Sequence, residues 1–138
     1  MTLTIQNDPV AKYSEAWKFI SQAEMEVNHY ANWLGLNRVH PLDKMIVAYK
    51  HNCFAGFIAY RCYDEDKEVY IGMAYVVPEF RRQGVHTSMF KYLVELVQKD
   101  YLVIHSGAAL ENVASIEAQK KRGSKIISVN TIYMLKRE

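Results

Sequence analysis

Arg81, Arg82 and Gly84 stand in the run Val76-Val77-Pro78-Glu79-Phe80-Arg81-Arg82-Gln83-Gly84-Val85-His86-Thr87-Ser88. Here an apolar stretch stops at a proline, and an amphipathic helical pattern begins just after a basic turn. Such a turn can hold an anion. The first backbone N–H groups of a helix have no partner inside it, the arginines bring positive charge to that end, and a glycine lets a ligand reach the main chain. In this reading Arg81, Arg82, Gln83, Gly84, Val85, His86 and Thr87 form a phosphate cradle. A charged turn that merely starts a helix explains the same residues without a ligand.

The run resembles motif A of the GNAT superfamily, the acyl-CoA-dependent N-acetyltransferases, written R/Q-x-x-G-x-G/A. Arg81 and Gly84 match it, while His86 stands where the family usually has Gly or Ala. His86 can donate to a phosphate or crowd the loop. A second segment, Asn112 to Ser124, is similar to the family pattern N-x-x-S/A-x-x-x-Y-x-K-x-G-F. Asn112, Ser115, Lys121 and Gly123 match, Gln119 falls at the tyrosine and Ser124 at the phenylalanine. The resemblance implies that Asn112 and Ser115 lie near coenzyme A and that the family's usual general acid is absent. An ordinary capped helix also accounts for Asn112 and Gly123.

What the resemblance implies is transfer of an acetyl group from acetyl-CoA to a primary amine by direct attack on the thioester. The alternative is a catalytically weak or inactive acyl-CoA-binding module, favoured by Gln119 and His86; a phosphate-binding domain without CoA is a third. An ammonium group cannot attack a thioester until it loses a proton, and the tetrahedral oxyanion needs a donor. By resemblance that donor is a backbone N–H at a bulge near Val76, and the strand edge from Ala74 through Val76 to Val77 pairs with the pantetheine amides. Period-two geometry puts Glu68, Tyr70, Gly72, Ala74 and Val76 on one face. Glu68 and Tyr70 are therefore the base candidates, and Tyr133 or Tyr75 can protonate the leaving thiolate in place of Gln119. His105 and His29 read as substrate-side groups or structural histidines. The acceptor is expected to be a small-molecule or protein amine, bound partly by the segment from Asn28 to Asp43.

Composition bounds the class of protein. Of 138 residues, 50% are hydrophobic and 23% charged, which fits one globular domain, here 1–138, rather than a disordered chain. A net charge of +2 indicates no nucleic-acid partner. No apolar run is long enough to span a bilayer and no secretory leader is evident, so the expectation is a cytoplasmic protein without a membrane partner. A homodimer is allowed. Cys53 and Cys62 share one strand-like segment, too far apart along it for a disulfide, and read as reduced, buried thiols. No metal-ligand spacing occurs.

The elements that must position these groups follow from periodicity. Leu3 to Gln6 alternates as a strand, and Val10 to Leu34 has helical spacing through Ala16, Phe19, Ile20, Ala23 and Val27. Met45 to Tyr49 and Cys53 to Cys62 read as a hairpin around His51-Asn52, and Glu68 to Pro78 as a central strand. Gly84 to Lys99 is predicted helical, with Val85, Met89, Leu93 and Leu96 or Val97 buried. Tyr101 to His105 is a strand, Asn112 to Gly123 a helix, and Lys125 to Lys136 one strand or two. The order predicts an α+β fold: a mixed, mostly antiparallel GNAT-like sheet with helices on both faces.

Overall fold

A computed structural model describes residues 3–23, 25, 39–107, 125–127 and 130–135. Its strands are β1 (Leu3–Asp8), β2 (Lys44–Lys50), β3 (Cys53–Tyr63), β4 (Glu68–Val76), β5 (Val103–Gly107), β6 (Lys125–Ile127) and β7 (Asn130–Met134). They form one seven-stranded sheet in the order β1-β2-β3-β4-β5-β7-β6. Every neighbouring pair is antiparallel except β4 and β5. The expected mixed, mostly antiparallel sheet is thus present, and its last segment is two strands.

Two side-chain layers cover the sheet. Helix α1 (Val85–Val97) buries Val85, Met89, Phe90, Leu93 and Val97 against one face, in a cluster with Ile46, Ala48, Ile58, Val69, Ile71 and Ile104. Fully burying one such side chain is worth roughly 1.5–3 kcal/mol, so this seam contributes strongly to fixing the helix. Of the alternatives at its last turn, Val97 is the buried one and Leu96 is exposed. On the other face Met45, Val47, Phe57, Ala59, Met73, Tyr75 and Val77 pack with Ala11, Ala16, Ile20 and Ala23.

The segment expected to be helical from Val10 begins instead as two 3₁₀ turns, Ala11–Tyr13 and Glu15–Phe19. Ser14 separates them. It is extended, donates its hydroxyl to Asp8 at 2.6 Å and accepts from the Ala16 N–H at 3.1 Å, which ends one turn and caps the next. At the other end β5 begins at Val103 rather than Tyr101, because the Tyr101 N–H still bonds the Val97 carbonyl behind α1. The two-residue turn between β2 and β3 places His51 and Asn52 at φ 53° and 64°, the left-handed pair a tight hairpin needs.

Two one-residue bulges interrupt the ladders. Ala48 pairs with Gly56 but Tyr49 with Phe54, so Ala55 is an extra residue in β3. Ala59 pairs with Met73 but Tyr60 with Ile71, so Gly72 is extra in β4. Inserting one residue exchanges the faces on either side of it.

Candidate functional site: the fork between β4 and β5

The parallel ladder joining β4 to β5 runs from Glu68↔Val103 to Ile71↔Ser106 and stops there. From Gly72 to Val76, β4 continues along β3 with no strand beside its other edge among the described residues. Backbone amides on such an edge can pair with an extended ligand. The bulge at Gly72 sits where the two strands part, which corrects the expectation of a bulge near Val76. A bulge leaves its extra residue outside the regular ladder.

Downstream, β4 leads to Pro78 and a 3₁₀ turn, Pro78–Phe80, and then to the loop before α1. Arg82 and Gly84 both have positive φ, 63° and 81°. Gly84 precedes the helix without a side-chain cap, and no acidic residue lies in its first turn. The helix start therefore presents the positive end of its dipole with no carboxylate in its first turn to offset it. A Cβ on Gly84 would meet nothing within 4 Å, so the main chain there is open to a ligand. Arg81, Arg82, Gln83 and Thr87 are exposed and His86 is half-buried, whereas the Val85 side chain belongs to the core and offers only its backbone. Arg81 donates through Nε to the Val76 carbonyl at 2.8 Å, with its guanidinium 5.6 Å from the Tyr75 ring centroid. Lys50 bonds Gln83 from β2, and Gln83 bonds the Glu79 carbonyl at 3.1 Å.

Upstream of the bulge, a polar strip crosses β3, β4 and β5. Asp43, just before β2, holds the Arg61 guanidinium at 3.0 Å. Arg61 lies 5.7 Å from the ring centroid of Tyr70, its register partner on β4. Tyr70 in turn pairs with His105 on β5, whose Nε2 is 3.3 Å from Glu68 Oε1. Burial works against the Arg61 charge, but bonding to Tyr63 and the Asp43 carboxylate outweigh it and raise its pKa. Two nitrogens in this strip, Arg61 Nε and His105 Nε2, are buried with no hydrogen-bond partner among the described residues. The His105–Glu68 contact is close enough for an ion pair yet misaligned for a hydrogen bond.

The predicted residues fall into distinct groups. Period-two counting placed Glu68 and Tyr70 on the face of Ala74 and Val76, and the structure corrects this. Across Gly72, Val69 and Ile71 share the α1 layer with Ala74 and Val76, so Glu68 and Tyr70 share the opposite side with Met73 and Tyr75. Tyr133 pairs with Ile104 in the ladder and stacks edge-on against Phe90 of α1 at 5.2 Å. It therefore lies on the other face of the sheet from Glu68 and Tyr70. Tyr75 packs on Phe57, and its hydroxyl accepts from Gln22 at 3.1 Å. Cys53 is exposed and Cys62 half-buried, so neither is the buried thiol expected; both are free. Burial pushes the Cys62 thiol upward, away from nucleophilic character. Asn112, Ser115, Gln119 and His29 lie outside the described residues. Sequence reading missed the Asp43–Arg61 pair; its available signal was an arginine inside the apolar run of β3.

The model of the acetyltransferase (GNAT) family matches residues 4–123, most of the chain. The chain belongs to the GNAT acetyltransferase family. Solved structures agree at the level of fold. IAA acetyltransferase from Bacillus cereus ATCC 14579 superposes with a TM-score of 0.73 at 13% identity, covering 97% of this chain and 100% of that one. The ribosomal-protein-S18-alanine N-acetyltransferase from Escherichia coli gives 0.71 at 10% identity, over 99% and 96%. N-acetylglutamate synthase from Neisseria gonorrhoeae, complexed with coenzyme A and N-acetyl-glutamate, gives 0.71 at 11%, over 99% of this chain and 36% of that one. No curated protein sequence matches the chain significantly. Among the described residues of this GNAT domain, no helix is long and apolar enough to cross a membrane. No group of three or more His, Cys, Asp or Glu side chains among them is arranged to hold a metal ion.

Proposed function

We propose that this chain transfers an acetyl group from acetyl-CoA to a primary amine by direct attack of the amine on the thioester. The observation that carries this reading is the continuity of the fork with the loop: the unpaired edge of β4 from Gly72 to Val76 runs into the open turn at Gly84 and the uncapped start of α1. Pantetheine amides fit the first, and a pyrophosphate fits the second. Arg81, Arg82, Gln83 and Thr87 supply side-chain donors at the loop, and Val85 and His86 supply backbone N–H groups. A neighbour of the same fold is solved with coenzyme A, which supports the donor.

The chemistry asks for an oxyanion donor and a base. The bulge at Gly72 provides a main-chain donor at the point where the strands part, and the polar strip of Glu68, Tyr70 and His105 provides titratable groups beside it. Asn112 and Ser115 are assigned to CoA by their match to the family pattern. Tyr133 remains a proposed proton donor, although it stands on the α1 face.

A CoA-binding module without turnover is the second reading, favoured by Gln119 at the family's tyrosine position. Calorimetry with acetyl-CoA, followed by thiol release in the presence of a panel of primary amines, tests both. Binding with transfer supports the enzyme and binding alone supports the module. No binding at millimolar acetyl-CoA, with no rise in melting temperature, refutes both; a true ligand at about 100 times its Kd adds roughly 2.7 kcal/mol.

A further inference from the structure

We propose that His105 is the general base that takes the proton from the attacking amine, and that Glu68 positions it. The proposal rests on the acetyl-transfer reading above. On its side of the sheet His105 is the last laddered residue of β5 before the strands part, because Ser106, the final partner, points to the other face. Its register partner Tyr70 lies two residues before the Gly72 bulge, about 7 Å along the strand. Base and main-chain oxyanion donor are therefore near neighbours at one end of the fork.

The tautomer follows from the contact. A carboxylate only accepts, so the ring nitrogen facing Glu68 Oε1 at 3.3 Å, Nε2, must carry the proton. That leaves Nδ1 as the basic atom. Nε2 is inaccessible to solvent, whereas the side chain as a whole is 24% exposed, so its accessible surface lies on its other atoms. Among the described residues, the charged and titratable groups around the ring are Glu68 and Tyr70 on β4, with Tyr63 opposite Glu68 on β3 and the Arg61–Asp43 pair behind Tyr70.

The ammonium first gives one proton to Nδ1. As the freed nitrogen lone pair forms the N–C bond, a second N–H proton is lost to solvent. The C–S bond then breaks with its electron pair leaving on sulfur, and the imidazolium, held by Glu68, returns its proton to the thiolate. Acetylamide, free CoA thiol and one solvent proton result. The same imidazole, in place of Tyr133 on the α1 face, thus fills the role of the acid absent at Gln119.

Protein labelled with ¹⁵N-histidine reports the tautomer without any acceptor: Nε2–H is expected for His105, and an Nδ1–H neutral form overturns the assignment. Thiol release from acetyl-CoA is then followed with alkylamines, which need a base, and with hydrazine, which is already neutral at pH 7. His105→Gln, checked for an unchanged melt and acetyl-CoA Kd, should lower kcat for alkylamines about 100-fold or more while affecting hydrazine far less. Glu68→Ala removes the acceptor facing Nε2, so it should let the Nδ1–H tautomer appear in the ¹⁵N spectrum and lower kcat for alkylamines while leaving the acetyl-CoA Kd unchanged. Equal losses with both nucleophiles, a kcat unaffected by His105→Gln, or bound acetyl-CoA that acetylates none of the amines overturns the proposal. Failure to bind acetyl-CoA at all sinks the acetyl-transfer reading itself.

Discussion

Arg81 Nε and the Val76 carbonyl oxygen are joined by a 2.8 Å hydrogen bond, which ties the loop before α1 to the last residue of β4. One side chain thus braces the two halves of the proposed CoA site. Arg81→Ala should weaken acetyl-CoA binding and cost about 1–2 kcal/mol of stability through the lost charge-assisted bond. Arg81→Lys keeps the charge and loses the planar donor set, so it should recover part of the affinity and little of the stability. Calorimetry at low and high salt separates these, because the charge contribution shrinks as salt rises.

Gly84 adopts φ 81° in open surroundings, so a side chain there strains the backbone without striking the protein. Gly84→Asn tolerates the left-handed region and should fold with little loss of melting temperature, whereas Gly84→Val should lose about 1–2 kcal/mol or more. Both should lose acetyl-CoA affinity at least about tenfold if a ligand lies against the main chain. Unchanged affinity in the folded Asn variant would contradict the cradle.

Gly56 is the reverse case. A Cβ there would overlap the Tyr75 carbonyl oxygen, which is backbone and cannot swing aside, and would stand 3.2 Å from both Val76 Cα and Met89 Cε. Gly56→Ala should push β3 from β4 and lower the denaturant midpoint by an amount worth about 1–3 kcal/mol or more, with the m-value unchanged.

Tyr60 is 1% exposed and donates its hydroxyl to Asn7 at 2.6 Å. Burial is the main reason its pKa lies above the ordinary tyrosine value of 10.0. A raised folded-state pKa leaves stability intact below the unfolded value and erodes it above, because there the unfolded chain releases a proton the folded one keeps. Stability should therefore fall once the pH passes about 10. Tyr60→Phe should cost about 1 kcal/mol at neutral pH and flatten that alkaline decline, read by urea titrations across pH.

Strand and helix identities were legible wherever apolar spacing was regular, as in β2, β3 and α1, and the turn before α1 was legible around Arg81 and Gly84 because proline, charge and glycine punctuate it. Faces upstream of Gly72 were not. Period-two counting has no term for an inserted residue, and a glycine with no side chain leaves no gap in the alternation of burial from Glu68 to Val76. The 3₁₀ turns at Ala11 and Glu15 escaped for a related reason: Ser14 acts through its hydroxyl on Asp8, a partner outside the local pattern. His105 and Glu68 sit 37 residues apart, and only the parallel register brings them together.

The extra residue at Gly72 also constrains how this chain can change over generations. A lineage that deleted it in one step would turn Glu68 and Tyr70 toward the aliphatic side chains beneath α1 and Val69 and Ile71 toward the polar strip. Every upstream side chain would have to exchange polarity at once to make that deletion tolerable, so drift by single substitutions has no gradual route out. Gly72 should consequently be harder to delete than to replace, and insertions and deletions in β4 of viable descendants should fall beyond its ends rather than within it.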